Sequence, residues 1–190
     1  KYIARDANGA IDVTLVEPQK QFTTCFHSNL YLGGFKTFDE ITHGYDKLAA
    51  SYGVRLAHQM ASAIDREKKE VRLADGSVLA YDRLVLSPGI SLKYDSVPGW
   101  GQAHEEIMPH AWKAGPQTKL LKARLDAVPD GGLIVIIAPP NPYRCPPGPY
   151  ERASAMAYSL KAAGKTKARI VIIDPKTSYS TCCAMERSPH

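Results

Sequence analysis

The apolar positions of this chain change period along its length, and the changes mark out its elements. Leu133 to Ala138 and Arg169 to Ile173 are short runs rich in β-branched residues, the pattern of strands in a parallel sheet covered on both faces. Between them, Glu151 to Ala163 has helical spacing, so the segment reads as strand, loop, helix, strand. Upstream, Gln117 to Val128 sets Leu121, Leu125 and Val128 on one face of a helix that Pro129-Asp130-Gly131-Gly132 closes.

The first half alternates in the same way. Tyr2-Ile3-Ala4 reads as the end of a helix, and Ile11 to Val16 predicts a core strand ending at Glu17 and Pro18. Thr37 with Glu40 makes a capping box, after which Ile41, Tyr45, Leu48 and Tyr52 fall on one face of a helix that Gly53 ends. Val54 to Ala57 predicts a short strand. Val71 to Leu73 and Val78 to Tyr81 flank Asp75-Gly76, a hairpin signal, and Leu84-Val85-Leu86 predicts a strand running into Ser87-Pro88-Gly89. Pro98-Gly99 marks a boundary, which gives one domain over 1–98 and a second over 99–190 with an irregular tail over 177–190. The expected class is α/β with two Rossmann-like domains, each in part.

Composition narrows the function classes. With 44% apolar and 23% charged residues the chain is globular, and its Lys and Arg are scattered with no run longer than Lys68-Lys69, which argues against nucleic-acid binding. No apolar stretch approaches the roughly 20 residues that cross a bilayer, so no transmembrane segment is expected. The start at Lys1, without Met, points to a processed or truncated chain. Cys25, Cys145, Cys182 and Cys183 include no C-x-x-C pair, so no metal site is expected.

Two places carry candidate chemistry. Glu17 ends a strand where the second strand of a nucleotide-binding fold holds a ribose hydroxyl, although a solvent-facing acid at a strand end would look the same. Cys145 lies ahead of the Glu151 to Ala163 helix, in a loop containing Pro139, Pro140, Pro142, Pro146, Pro147 and Pro149. A dinucleotide pyrophosphate needs bare backbone N–H groups at such a turn; prolines remove them and side chains block the approach. The loop therefore reads as built to exclude a nicotinamide nucleotide and to present a thiol, which helix N–H groups and Arg144 would favour as thiolate.

Three motifs in order carry a family resemblance: Thr24-Cys25-Phe26-His27-Ser28-Asn29, Pro109-His110-Ala111-Trp112-Lys113-Ala114-Gly115, and the run Ala138 to Ser154. Together they resemble the flavoprotein subunit of flavocytochrome c sulfide dehydrogenase, incomplete at both ends, from residue 1 to about Pro175. The resemblance implies a glutathione-reductase-like FAD/NAD(P)-binding fold. It also implies an enzyme that oxidises sulfide and passes electrons through covalent FAD to haem c on a separate c-type cytochrome subunit, in the bacterial periplasm. By the same resemblance Cys25 attaches the flavin, Pro88 and Gly89 pass near it, and Cys145 is half of a redox-active disulfide whose partner lies beyond this chain. Glu151 would act as general base for hydrogen sulfide, or else simply complement the helix dipole. His110 is assigned to structure, and His27 departs from the apolar residue expected at its place.

Two other readings remain at this stage. A sulfide:quinone oxidoreductase shares the fold and a cysteine after the same strand. A non-catalytic truncated remnant is the other, and the 190-residue chain alone is expected to be inactive and to hold FAD poorly.

Overall fold

The computed structural model describes residues 1–176. In chain order the elements of the first half are α1 (Tyr2–Asp6), β1 (Thr14–Val16), β2 (Gln21–Thr23), α2 (Ser28–Leu32), β3 (Thr42–Gly44), α3 (Asp46–Tyr52), β4 (Arg55–Ala57), β5 (Ala61–Asp65), β6 (Glu70–Leu73) and β7 (Val78–Ala80). The second half adds α4 (Pro116–Ala127), β8 (Leu133–Ile137), α5 (Gly148–Ala162) and β9 (Arg169–Ile173). Among the described residues no helix is long and apolar enough to cross a membrane.

The chain groups into two compact units, Lys1–Phe22 with Thr42–Gly89, and Thr23–Ile41 with the chain from Ile90 onward. Residues 23–41 join the second unit because Leu32 of α2 is fully buried in one cluster with Leu125 of α4 and with Met156 and Leu160 of α5. Burying a leucine side chain stabilises by roughly 1.5–3 kcal/mol, so this contact ties residues 23–41 to the second unit.

In the first unit β1 and β4 pair in parallel, Leu15 opposite Leu56, and β5, β6 and β7 form an antiparallel meander whose β6–β7 turn holds Asp75-Gly76. Gly76 takes φ 87, and Asp75 accepts the Ser77 N–H at 2.9 Å, so the turn chemistry read from the sequence is present. The expected strand from Ile11 is shorter, starting at Thr14. The helix expected from Ile41 does not form as a single element. Thr37 and Glu40 do exchange hydrogen bonds, yet only a tight turn, Asp39–Ile41, follows before the chain extends into β3. There β2 offers a ladder partner, which outweighs the helical spacing, and α3 starts at Asp46 and ends where Gly53 adopts φ 64. Leu84-Val85-Leu86 is not a strand either: Val85 and Leu86 are largely exposed, and no described strand pairs with them.

The second unit follows the sequence closely. β8 and β9 run parallel in register, Leu133 opposite Arg169 through Ile137 opposite Ile173. Ile134, Ile136 and Ile170 pack with Leu121 and Val128 against the buried cluster, whereas Leu133, Val135, Ile137, Val171 and Ile173 face outward and remain about half exposed. Among the described residues only one face of this sheet is covered. Cys182 and Cys183 lie outside the described residues.

Candidate active site

Helix α5 sets the geometry. Its first turn has few donors to offer, since Pro149 lacks an N–H, Gly148 N donates to the Cys145 carbonyl at 2.9 Å, and Tyr150 N and Glu151 N donate to the Pro147 carbonyl. The turn thus closes on its own loop and leaves no row of free N–H groups for a pyrophosphate. Cys145 is exposed and sits at φ 59, in the left-handed region.

That loop is braced at both ends. The Tyr143 hydroxyl donates to the Pro146 carbonyl at 3.2 Å and accepts from Lys176 Nζ at 3.0 Å. Lys176 is ion-paired with Asp174, which also accepts the Tyr150 hydroxyl. The Lys176 ammonium and the Tyr150 hydroxyl hold the Asp174 carboxyl down to about 2, and Asp174 and Tyr143 hold Lys176 above its ordinary range. Tyr143 and Tyr150, on either side of Cys145, are thereby fixed to the end of β9.

Gly148, at the start of α5, lets other groups come close: a Cβ there would stand 3.0 Å from the Trp112 ring and 3.4 Å from the Cys145 sulfur. Trp112 arrives on the Pro109 to Gly115 motif, where Ala111 is fully buried at φ 45 and the Trp112 N–H donates to His110 Nδ1 at 2.9 Å. The carbonyl of Trp112 faces the Cys25 thiol at 3.6 Å. Cys25 starts the tight turn Cys25–His27 and is exposed, with its backbone anchored on either side. Buried Thr24 donates to the Ile41 carbonyl at 3.0 Å, and Ser28 to the Cys25 carbonyl at 2.6 Å.

Between these pieces lies Arg152, only 8% exposed, one helical turn beyond Gly148 and on the same face of α5. Its Nε donates to Asn29 Oδ1 at 3.3 Å, its Nη1 donates to the His110 carbonyl at 3.2 Å, and the guanidinium lies 5.6 Å from the centre of the Trp112 ring. Burial lowers the Arg152 pKa, opposed by the sulfurs of Cys25 and Cys145 and then by Glu151; an arginine stays charged regardless. Glu151 is the acidic residue in the first turn of α5. Its carboxylate accepts Asn29 Nδ2 at 3.4 Å, so one amide joins Glu151 to Arg152. His110 is nearly buried, with Nε2 3.4 Å from Glu105, which also accepts the Tyr94 hydroxyl at 2.6 Å. Burial pulls the His110 pKa down against the pull of Glu105.

The second unit therefore gathers Cys25, Cys145 and Glu151 around Arg152. Arg152, Asn29 and Trp112 lie within the three sequence motifs without a role that the sequence itself assigns; a charged residue in the first turn of a helix gives no local sign that it will be buried. Glu17 belongs to the other unit. It stands at the carboxyl end of β1, where its N–H bonds the Ala57 carbonyl and its carboxylate accepts the Gln19 N–H at 2.9 Å. Pro88 and Gly89 end that unit and are exposed, with Gly89 at φ 79.

Comparison with known proteins places these features. Residues 118–188 match the family model described as the central part of the flavoprotein chain of sulfide dehydrogenase (flavocytochrome c). Among solved structures, the sulfide:quinone oxidoreductase of the hyperthermophilic bacterium Aquifex aeolicus is 21% identical with a TM-score of 0.63, over 91% of this chain and 39% of that one. A NAD-dependent persulfide reductase from A. fulgidus is 16% identical with a TM-score of 0.63, over 90% and 30%. Putidaredoxin reductase in its covalent putidaredoxin complex is 18% identical with a TM-score of 0.60, over 90% and 46%. This chain thus spans less than half the length of these structures. It carries part of the FAD/NAD(P)-binding oxidoreductase fold and, over residues 118–188, resembles the flavoprotein chain of flavocytochrome c sulfide dehydrogenase.

Proposed function

We propose that this chain is part of a flavin-dependent sulfide oxidoreductase of the flavocytochrome c type, in which Cys145 is the sulfur that substrate attacks. The observation that carries this reading is the exposed Cys145 thiol, held against Gly148 at the start of a helix whose first-turn donors are absent or already engaged. Such a loop presents sulfur rather than backbone. Cys145 would be paired in a disulfide with a second cysteine of the same protein. Hydrosulfide attacks the Cys145 sulfur, the S–S bond breaks, and the products are a Cys145 persulfide and the partner thiolate, which carries away the electron pair. Glu151, exposed and oriented by Asn29, takes the proton of hydrogen sulfide and returns it to solvent.

FAD is the cofactor of this reading: within the second unit Cys25 offers an exposed sulfur on a tight turn for covalent attachment, and within the first unit Glu17 offers a carboxylate at a parallel strand end, where a nucleotide-binding fold holds a ribose hydroxyl. When bound, the flavin would supply the two-electron acceptor, with haem c on a cytochrome subunit as the next carrier; the family resemblance assigns Pro88 and Gly89 of the first unit to the flavin's surroundings. A periplasmic site accords with sulfide as substrate and a c-type cytochrome as partner.

Similarity to the Aquifex aeolicus enzyme favours a second reading, quinone as the acceptor. One experiment separates them. The full-length gene product is given sulfide with either a c-type cytochrome or a soluble quinone, and reduction of each is followed. Cytochrome reduction is expected; reduction of quinone alone would establish the second reading, and reduction of neither would overturn both.

A further inference from the structure

We infer that Arg152 forms the anion site of this centre, a buried guanidinium that binds a small anionic sulfur species, hydrosulfide or the thiolate it generates, beside Cys145. The inference deepens the sulfide reading and rests on it for the identity of the ligand.

Removing an arginine from water costs several kcal/mol unless a counter-charge or a full set of acceptors replaces the lost hydration. Arg152 is more than nine-tenths buried, yet among the described residues no carboxylate oxygen lies within salt-bridge distance of it. Its two hydrogen bonds go to neutral acceptors, the Asn29 side-chain oxygen and the His110 carbonyl, and both use Nε and Nη1. Nη2 has no acceptor among the described residues. A purely structural arginine, tying Asn29 to the His110 segment, would need only the two bonds already made.

Arg152 and Cys145 share neighbours: one turn ahead of Arg152, a Cβ at Gly148 would stand 3.4 Å from the Cys145 sulfur and 3.0 Å from the Trp112 ring, whose centre lies 5.6 Å from the guanidinium. Cys25 and Cys145 are, in that order, the charge partners that most favour the charged form of Arg152. Trp112 closes a third side, with its ring against the guanidinium and its carbonyl on the Cys25 thiol. Cys145 is exposed, so a ligand from solvent can reach its sulfur. A small anion fits this arrangement better than neutral hydrogen sulfide, because an anion offsets the positive charge as well as accepting a hydrogen bond.

The test uses the full-length, flavin-loaded protein with its disulfide reduced by a phosphine, and follows alkylation of Cys145 by peptide mass spectrometry. Iodoacetate is an anion and iodoacetamide is neutral, so the ratio of their rates reports the positive field at the sulfur. The unaltered protein should show a higher ratio than free cysteine. Arg152→Met, of similar length without charge, should lower the ratio by about tenfold or more, equivalent to about 1.4 kcal/mol, whereas Arg152→Lys should keep most of it. A ratio unchanged in Arg152→Met overturns the inference. Should that variant fail to fold, thiocyanate decides on the unaltered protein: saturable protection of Cys145 from iodoacetamide supports the site, and no protection overturns it. In the sulfide assay Arg152→Met should raise KM for sulfide more than it lowers kcat. A shifted alkylation ratio in a protein that does not oxidise sulfide would leave the anion site standing and overturn only the sulfide reading.

Discussion

Asn29 and Arg152 lie 123 positions apart in the chain and meet side chain to side chain, Nε to Oδ1, at 3.3 Å. The same amide donates through Nδ2 to Glu151, so the orientation of Asn29 is fixed by a cation on one side and an anion on the other. Asn29→Ala leaves a buried guanidinium hydrogen without its acceptor. A loss of about 1–3 kcal/mol of stability is expected, read as a fall in Tm. An unchanged Tm would mean that water or another group replaces the amide at no cost.

His110 should titrate below its ordinary value of 6.5, because burial disfavours the charged ring. A depressed folded-state pKa contributes stability that is present above pH 6.5 and is lost as pH falls through the folded value. Protonation would also end the hydrogen bond from the Trp112 N–H to Nδ1. Since Glu105 pulls the pKa upward, Glu105→Gln should lower it further. Ring-proton NMR of His110 in both proteins measures this directly, and an upward shift in the glutamine variant would contradict the assigned cause.

The two cysteines should separate by phenotype in the full-length protein. Cys145→Ser is expected to abolish sulfide-dependent cytochrome reduction while leaving flavin content unchanged. Cys25→Ser is expected to release flavin on denaturation, with some activity retained. Wild-type turnover in the Cys145 variant would remove the central reading.

Nicotinamide nucleotides should not reduce the flavin. Gly148, Tyr150 and Glu151 already spend their N–H groups on the loop that precedes them, and Pro149 has none. Stoichiometric NADH added anaerobically should leave the flavin spectrum intact; rapid bleaching would show that pyrophosphate finds a route this loop does not offer.

The sequence told most where its signals were local. The runs around β8 and β9 fell within a residue of the observed elements, as did the Gly53 stop and the Asp75-Gly76 turn, while α5 begins three residues ahead of the expected Glu151. It told least where distant partners decide. Ile41, Tyr45, Leu48 and Tyr52 keep helical spacing, yet β2 takes up residues 42–44 as a strand. Leu32 carries its segment into the second unit because Leu125, Met156 and Leu160 cover it, a contact no local pattern announces. Around the site, Cys25, Cys145 and Glu151 stood out by residue type and motif. Arg152 did not, since its burial comes from Asn29, His110 and Trp112 arriving from elsewhere, and neither did Lys176, whose partner Tyr143 lies 33 positions away.

The left-handed backbone at Cys145 bears on how its role should be dissected. At φ 59 a residue with a Cβ is held on the order of 1 kcal/mol above its relaxed conformation, whereas glycine would sit there without penalty. Cys145→Gly therefore makes two changes at once, deleting the sulfur and slackening the loop. Cys145→Ser deletes the sulfur and keeps the loop under tension. The difference in stability between these two variants measures how tightly the protein is wound around its own reactive atom.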